Sequence, residues 1–406
     1  MKKGICSALL IILFGVSIQP AGSYTNWIDS PSVLIDNSVI SEVTLSSFIG
    51  GSLADTVDSV VVDDFNNIYI AGRTRSNNIP SGGNLGFEYS GMNDYYVMKL
   101  NSTRDIVYTT YIGADGTEGF PSIDPVTACS IDVDNLGRVY MTGSTSSYYF
   151  PMVNAWDDEN DGEDGFALRL SADGRHIEYS TFIGGFYFDI CTAIKVDDSY
   201  NAFIVGWTNS DDFPTLNAYD YSPSGPTDMF LVKLNQNGQA SFSTYIGGSG
   251  RELASKGSLA LDDDGAAYVL GRTDSPDLPI THYETELNGP SSDLFIWKVD
   301  STGTFRAGLY FGSSSQDEVG GIALDNQGYV YISGYTAGDL PYDYSIGPNP
   351  NAFVAKFDNN TLHHLRTTGF GGTDVNQPLG LVIDEEDCPW VTGYSYASDF
   401  PLEDPI

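Results

Sequence analysis

Positive charge is scarce in this chain. Its 406 residues carry 18 Lys plus Arg against 54 Asp plus Glu, a formal charge of −36. A polyanion would be repelled, which argues against nucleic-acid binding, and anionic membrane surfaces are disfavoured for the same reason. Histidine is scarcer still. His176, His282, His363 and His364 form no spaced ligand set with the cysteines, so a zinc cluster is not expected. Neither Gly-x-Ser-x-Gly nor His-Glu-x-x-His occurs. Four cysteines are too few for a disulfide scaffold. Long helical patterns are missing as well, because 44 Gly and 19 Pro interrupt them. No apolar run reaches the ~20 residues that a membrane-spanning helix needs.

The first such run, residues 7–18 (SALLIILFGVSI), follows Met1-Lys2-Lys3 and is ended by Gln19-Pro20, with Ala21-Gly22-Ser23 after it. That order reads as a secretory signal peptide over residues 1–23, leaving 24–406 as one mature domain. Its removal takes Lys2 and Lys3 and no acid, so the charge becomes 16 − 54 = −38. Of the remaining Cys129, Cys191 and Cys388, the first two sit at positions offset by one within neighbouring repeats. A bridge between them is conceivable, but buried free thiols are the expectation.

What the chain has in abundance is bulk to bury, with 26 Tyr, 21 Phe and 5 Trp, and it has a repeat. Six copies read strand, acidic turn, strand, then Gly-x-Thr/Ser: VVVDDFNNIYIAGRT (60–74), SIDVDNLGRVYMTGST (130–145), IKVDDSYNAFIVGWT (194–208), LALDDDGAAYVLGRT (259–273), IALDNQGYVYISGYT (322–336) and LVIDEEDCPWVTGYS (381–395). A proline follows the glycine after eight residues at Pro80, Pro151, Pro214, Pro279 and Pro401, and after seven at Pro341. Two further segments complete each unit. One is an aromatic-centred strand such as DMFLVKL (228–234); the other ends in glycine, as ASFSTYIGG (240–248) does. Four short β-rich strands per ~64 residues describe a propeller blade, which buries both faces only against neighbouring blades. The expected fold is therefore all-β: a six-bladed β-propeller of four-stranded antiparallel blades.

Closure has its own signature. The sixth copy stops after its first two strands, while SVLIDN (32–37) and SEVTLSSFIGG (41–51) match the third and fourth. N-terminal strands pairing with the last repeat would fasten the ring; the alternative is a piece of a longer repeat array. The run STYIGGSGRELASKGSLALDDDGAAYVLGRTDSPDLP (243–279), followed by DLFIWKV, resembles the SBBP beta-propeller repeat. The resemblance extends over about residues 32–401. It implies a propeller in a secreted or cell-surface setting and implies no reaction.

Candidate functional residues lie on the loops. Those joining the second strand to the third share a face with the Gly-Gly steps and carry Trp156, Tyr148, Tyr149, Tyr219 and Tyr221. The residue after each repeat glycine varies: Arg73, Ser144, Trp207, Arg272, Tyr335 and Tyr394. Variation on a constant frame suggests recognition, so Arg73, Trp156, Trp207, Arg272, Tyr335 and Tyr394 are the candidate ligand-binding residues, for a glycan or a protein. The two arginines could hold an anion, although pairing with local acids is the commoner use. Asp157, Asp161 and Asp164 lie in an oxygen-rich run that suggests Ca²⁺, without EF-hand spacing. The function expected is a non-catalytic binding module. The alternatives are an extracellular polysaccharide lyase or glycosidase, and a structural surface-layer component.

Overall fold

In the computed structural model the described residues are 12–15, 49–83, 86–90, 92–114, 118, 129–281 and 291–401. Among them there is no helix, and the strands form six sheets in chain order. An N-terminal strand, β1 (Ile12–Gly15), precedes them. The first sheet is β2 (Ser59–Val62), β3 (Ile68–Thr74), β4 (Asp94–Leu100) and β5 (Ile106–Ile112). The second is β6 (Ser130–Val133), β7 (Val139–Thr145), β8 (Asp164–Leu170) and β9 (Ile177–Ile183). The third is β10 (Asp189–Val196), β11 (Ala202–Thr208), β12 (Asp228–Leu234) and β13 (Ala240–Ile246).

In the fourth sheet the first strand is split into β14 (Glu252–Leu253) and β15 (Leu259–Leu261), followed by β16 (Ala267–Thr273), β17 (Asp293–Val299) and β18 (Phe305–Phe311). The fifth has β19 (Asp317–Leu324), β20 (Val330–Thr336), β22 (Ala352–Phe357) and β23 (His364–Phe370), with β21 (Tyr344–Ile346) added parallel to β23. The sixth contains β24 (Asn376–Ile383), β25 (Pro389–Ser395) and β1.

First strands touch one another from sheet to sheet: β2 with β6, β6 with β10, β10 with β15, β15 with β19, and β19 with β24. They are the innermost strands of a β-propeller fold. The apolar clusters confirm the stacking. One joins Tyr95 and Val97 of the first sheet to Phe166 and Leu168 of the second; another joins Phe203 and Leu231 of the third to Val269 and Phe295 of the fourth. Strand alternation supplies both faces. In β4, Tyr95 and Val97 face the second sheet, while Tyr96 and Met98 belong to a separate buried cluster on the other side.

Each repeat glycine has a steric cause. β10 carries a bulge between Cys191 and Ala193, and Cys191 pairs with Gly206. The same irregularity follows Val319 opposite Gly334 and Pro378 opposite Gly393. At these glycines the bulge pushes a first-strand carbonyl onto the residue: a Cβ on Gly206 would collide with the Ile190 carbonyl oxygen, and one on Gly393 with that of Gln377, whereas at Gly143 and Gly271 the rings of Tyr95 and Phe295 fill the space.

Among the described residues the last repeat pairs with N-terminal chain at β1. Beside β25 lies β1, antiparallel, with Ile12 opposite Gly393 and Gly15 opposite Trp390. It comes from the run read as a leader. SVLIDN and residues 41–48 lie outside the described residues, as does the insert at 120–125. The physical reason for this occupancy is that β25 offers an edge of unpaired backbone groups, which a short apolar run can satisfy. Cys129 and Cys191 are buried free thiols and Cys388 is half-buried, with no disulfide among the three.

The bulge argument predicts that Gly206→Ala lowers unfolding stability by about 1–3 kcal/mol through overpacking. Urea unfolding followed by intrinsic fluorescence measures it.

Candidate functional site

The loop face is assembled by a motif that recurs at the junctions where an acid opens the first strand. The acid opening a first strand accepts the N–H four residues before it, on the Gly-Gly step, and hydroxyls after the repeat glycine. Asp189 accepts the Gly185 N–H at 2.8 Å and the Ser210 hydroxyl at 2.8 Å. Glu252 accepts the Gly248 N–H at 3.0 Å and the Thr273 hydroxyl at 2.6 Å. Asp317 accepts the Ser313 N–H at 2.8 Å, and Asp55 accepts the Gly51 N–H at 2.7 Å.

A second stitch uses the residue two before the proline. Asp212 accepts the Phe186 N–H at 3.0 Å, Asp277 the Ser249 N–H at 2.8 Å and Asp399 the Thr373 N–H at 2.8 Å. Asn78 does the same for Ser52 at 2.9 Å, so the variant Asn78-Ile79-Pro80 keeps the acceptor. The next residue, Ile79, Phe213 or Leu278, is buried. Each Gly-Gly step is thus held against the loop that follows the next repeat glycine.

On this frame the second and third sheets display aromatic side chains. Tyr148 and Tyr149 are 73% and 76% exposed, and Phe186, Tyr187 and Phe188 are also exposed. Ser147, next to Tyr148, accepts from Asn160 Nδ2 at 3.2 Å through its carbonyl. Two residues on, Gly162 packs beneath the carbonyls of Phe186 and Tyr187. The β7–β8 loop therefore ties both aromatic groups to one side of the fold. Phe186 and Tyr187 meet edge to face at 5.3 Å.

The candidates drawn from the variable position separate into wedges and surface residues. Arg73 is mostly buried, its Nε 2.9 Å from Asp58. Arg272 forms an ion pair with Glu318 of the next sheet. Both cations are engaged by carboxylates, the commoner of the two uses weighed for them. Trp207 packs against the cluster between the third and fourth sheets, its Nε1 buried and meeting no acceptor among the described residues. Trp156 packs against the cluster between the second and third sheets, its backbone N–H donating to Thr181 at 3.1 Å. Tyr335 is half-buried and pairs across the strands with Glu318. Tyr394 is exposed and lies 5.3 Å from the Tyr396 ring.

The calcium candidates do not converge. Asp157 accepts the Glu159 N–H at 3.1 Å, the Asp161 N–H points to Asp164 at 3.4 Å, and Asp164 is buried at the junction with the third sheet. Among the described residues no three metal-ligating side chains come together. The turn acids serve their own backbone: Asp262 accepts from Asp264 at 3.1 Å and Ala266 at 2.8 Å, and Asp134 from Leu136 and Arg138, both at 3.0 Å. His364 is half-buried against Phe311 and Phe357.

Sequence reasoning missed Lys256. It lies where β14 and β15 are split. The segment from Glu252 to Leu261 is two residues longer than Asp189–Val196, and that insertion was its signal. The Lys256 amine donates to the Asp58 carbonyl at 2.9 Å, linking the fourth sheet to the first. Cys129 Sγ is 3.8 Å from the same Asp58 carboxylate, and burial pushes this thiol well up.

Residues 49–80 and 307–341 match the SBBP beta-propeller repeat. The chain carries SBBP repeats. Each match starts just before a Gly-rich step, at Ile49 or within β18 at Ala307, and stops at Pro80 or Pro341. The SBBP unit therefore spans the two stitched loops and the hairpin between them. A curated relative, the regulatory protein FlaEY of Caulobacter vibrioides, is 26% identical over 338 residues, 76% of this chain; the chain spans about a third (33%) of that protein. Similar solved structures include a protein of unknown function from Dyadobacter fermentans (TM-score 0.45, 11% identity, 86% of this chain and 97% of that one). The NanB sialidase of Streptococcus pneumoniae (0.43, 8%, 89% and 72%) and virginiamycin B lyase of Staphylococcus aureus (0.33, 11%, 84% and 95%) are others.

Two substitutions test this division of roles. Asp277→Ala should cost about 1 kcal/mol by removing a loop acceptor. Trp207→Phe keeps the wedge and discards an unpaired N–H, so stability should hold or rise. Urea titration of both reads the difference.

Proposed function

We propose that this chain is a secreted or cell-surface, six-bladed propeller that acts as a non-catalytic binding module, with the aromatic loop face over its second and third sheets taking a neutral glycan. The observation that carries it is the group Tyr148, Tyr149, Phe186 and Tyr187, exposed on loops held by buried carboxylates. Rings anchored this way present an apolar face to a sugar at little entropic cost, and exposed aromatic patches of this size mark interaction sites. Asp157 and Asp158 share the β7–β8 loop with Tyr148 and Tyr149, and Asp212 accepts the Phe186 N–H, which disfavours an anionic ligand. A regulatory name on the FlaEY relative agrees with binding more than with turnover. A lyase or glycosidase would need a carboxyl pair open to substrate, whereas Asp189, Glu252 and Asp317, the acids that open the first strands, are buried.

Closure is supported by the buried second face of the first sheet, where Tyr96 is 0% and Met98 2% exposed, and by the Lys256–Asp58 contact. Cleavage of a leader near Ser23 would release β1 from the edge of β25 and leave that edge to residues 32–37.

A glycan array with the secreted protein tests the reading. Combined Tyr148→Ala, Tyr149→Ala, Phe186→Ala and Tyr187→Ala should weaken glycan binding at least tenfold, worth about 1.4 kcal/mol, and leave the melting temperature nearly unchanged. Undiminished binding by the variant, or retention of a protein and no glycan, contradicts it.

A further inference from the structure

The acids that open the first strands face a second set. The third strands of successive sheets begin at Asp94, Asp164, Asp228, Asp293 and, one residue before β22, Asn351; the junction partners on the next sheet are Glu118, Asp189, Glu252, Asp317 and Asn376. Four junctions bring acid to acid, the fifth brings amide to amide, and none is mixed.

The first junction shows the layout. Asp94 and Glu118 are both 0% exposed. Asp94 Oδ2 accepts the Ser90 N–H at 2.7 Å, and Glu118 Oε1 accepts the Ala114 N–H at 3.3 Å. The other oxygens, Asp94 Oδ1 and Glu118 Oε2, are buried and meet no donor among the described residues. They flank one point: a Cβ on Gly113 would lie 2.5 Å from the first and 3.1 Å from the second. At the third junction Asp228 is within side-chain hydrogen-bonding reach of Glu252. Two ionised carboxylates so placed would repel each other, and in the first pair each would also keep an unsatisfied oxygen. At the fifth junction a neutral donor fills the corresponding place, as Asn376 Nδ2 donates to Asn351 Oδ1 at 2.6 Å.

We propose that each of the four acid junctions holds a proton between its two carboxyl groups, joining successive sheets by carboxyl–carboxylate hydrogen bonds and making the fold's stability depend on pH. A divalent cation fits the sites poorly. The outer oxygens already face N–H donors, no third ligand is present among the described residues, and Ca²⁺ takes six to eight oxygens.

Electrostatics agree with the geometry. Burial pushes Asp94 up to about 7, Glu118 to about 8 and Asp317 to about 6, and raises Asp228 and Glu252 too. Around the first pair stand Tyr89, Tyr111, Asp55 and Arg75, the last turned to Asn93 at 2.7 Å. Asp157, Asp161, Asp212 and Cys191 face the second pair. Asp220, Tyr245 and Tyr310 face the third, and Glu318 and Tyr342 the fourth. Arg75 is the one cation in these sets.

The sign follows. A carboxyl raised in the folded state contributes stability that is complete below its ordinary range, near pH 4, and lost as pH rises through about 6 to 8. Asp300, held down to about 2, and Asp63 and Asp358, also lowered, act oppositely: their contribution is present above the ordinary range and is lost as pH falls below it. The melting temperature should therefore peak at mildly acidic pH.

Thermal melting of the full chain in a chelator, between pH 4.5 and 9, tests the proposal. The wild type should melt lower as pH rises. Asp94→Asn and Asp228→Asn should flatten that slope and melt several degrees above wild type at pH 9. The double variant Asn351→Asp, Asn376→Asp creates a fifth acid junction and should steepen the slope. A wild-type melting temperature that is flat or rises to pH 9, or single amides that melt below wild type at pH 9, overturns the proposal. So does restoration of the wild-type melting temperature at pH 9 by 1 mM Ca²⁺, about the affinity range of extracellular calcium modules, because a cation and not a proton would then fill the pairs.

Discussion

A buried carboxyl at the start of the innermost strand is the constraint on which the rest depends. Burying such a group is costly unless its oxygens are met by donors. Here the donors come from two different loops: the Gly185 N–H and Ser210 hydroxyl on Asp189, or the Gly248 N–H and Thr273 hydroxyl on Glu252. Satisfying one acid therefore fixes the end of one sheet against the start of the next. The tight Gly-Gly step has a second cause, because a side chain at its first position would collide with the acid that opens a third strand, Asp164 at Gly184 and Asp228 at Gly247.

From that fastening come both the shape and the display surface. A sheet whose alternate residues are apolar on both sides gains nothing alone, and the clusters are shared between successive sheets. Stacking aligns the Gly-Gly steps with the loops after the repeat glycines on one face. Those loops vary in sequence while their anchors stay fixed, so Tyr148 and Phe186 stand exposed on a rigid base.

The repeat, the strand count and the shared face were legible in the sequence because periodic glycine, proline and β-rich runs are local signals. The wedge role of Trp207 and the pairing of Arg272 with Glu318 were not, since both depend on the neighbouring sheet. The strand beside β25 was not legible: repeat similarity favours SVLIDN, which lies outside the described residues, while an open strand edge accepts any short apolar run, here Ile12–Gly15. The facing acids left a readable trace that went unused. Asp94 and Glu118 are 24 residues apart, as are Asp228 and Glu252, and Asn351 and Asn376 change together.

Hydrogen–deuterium exchange of the Gly185 and Gly248 amides measures the fastening directly. These N–H groups lie in surface loops, where exchange is ordinarily fast, and the buried carboxylates should slow them to the rate of the core strand amides, so that they exchange only through global unfolding. Exchange of both within seconds, while β11 and β16 stay protected, would contradict the account.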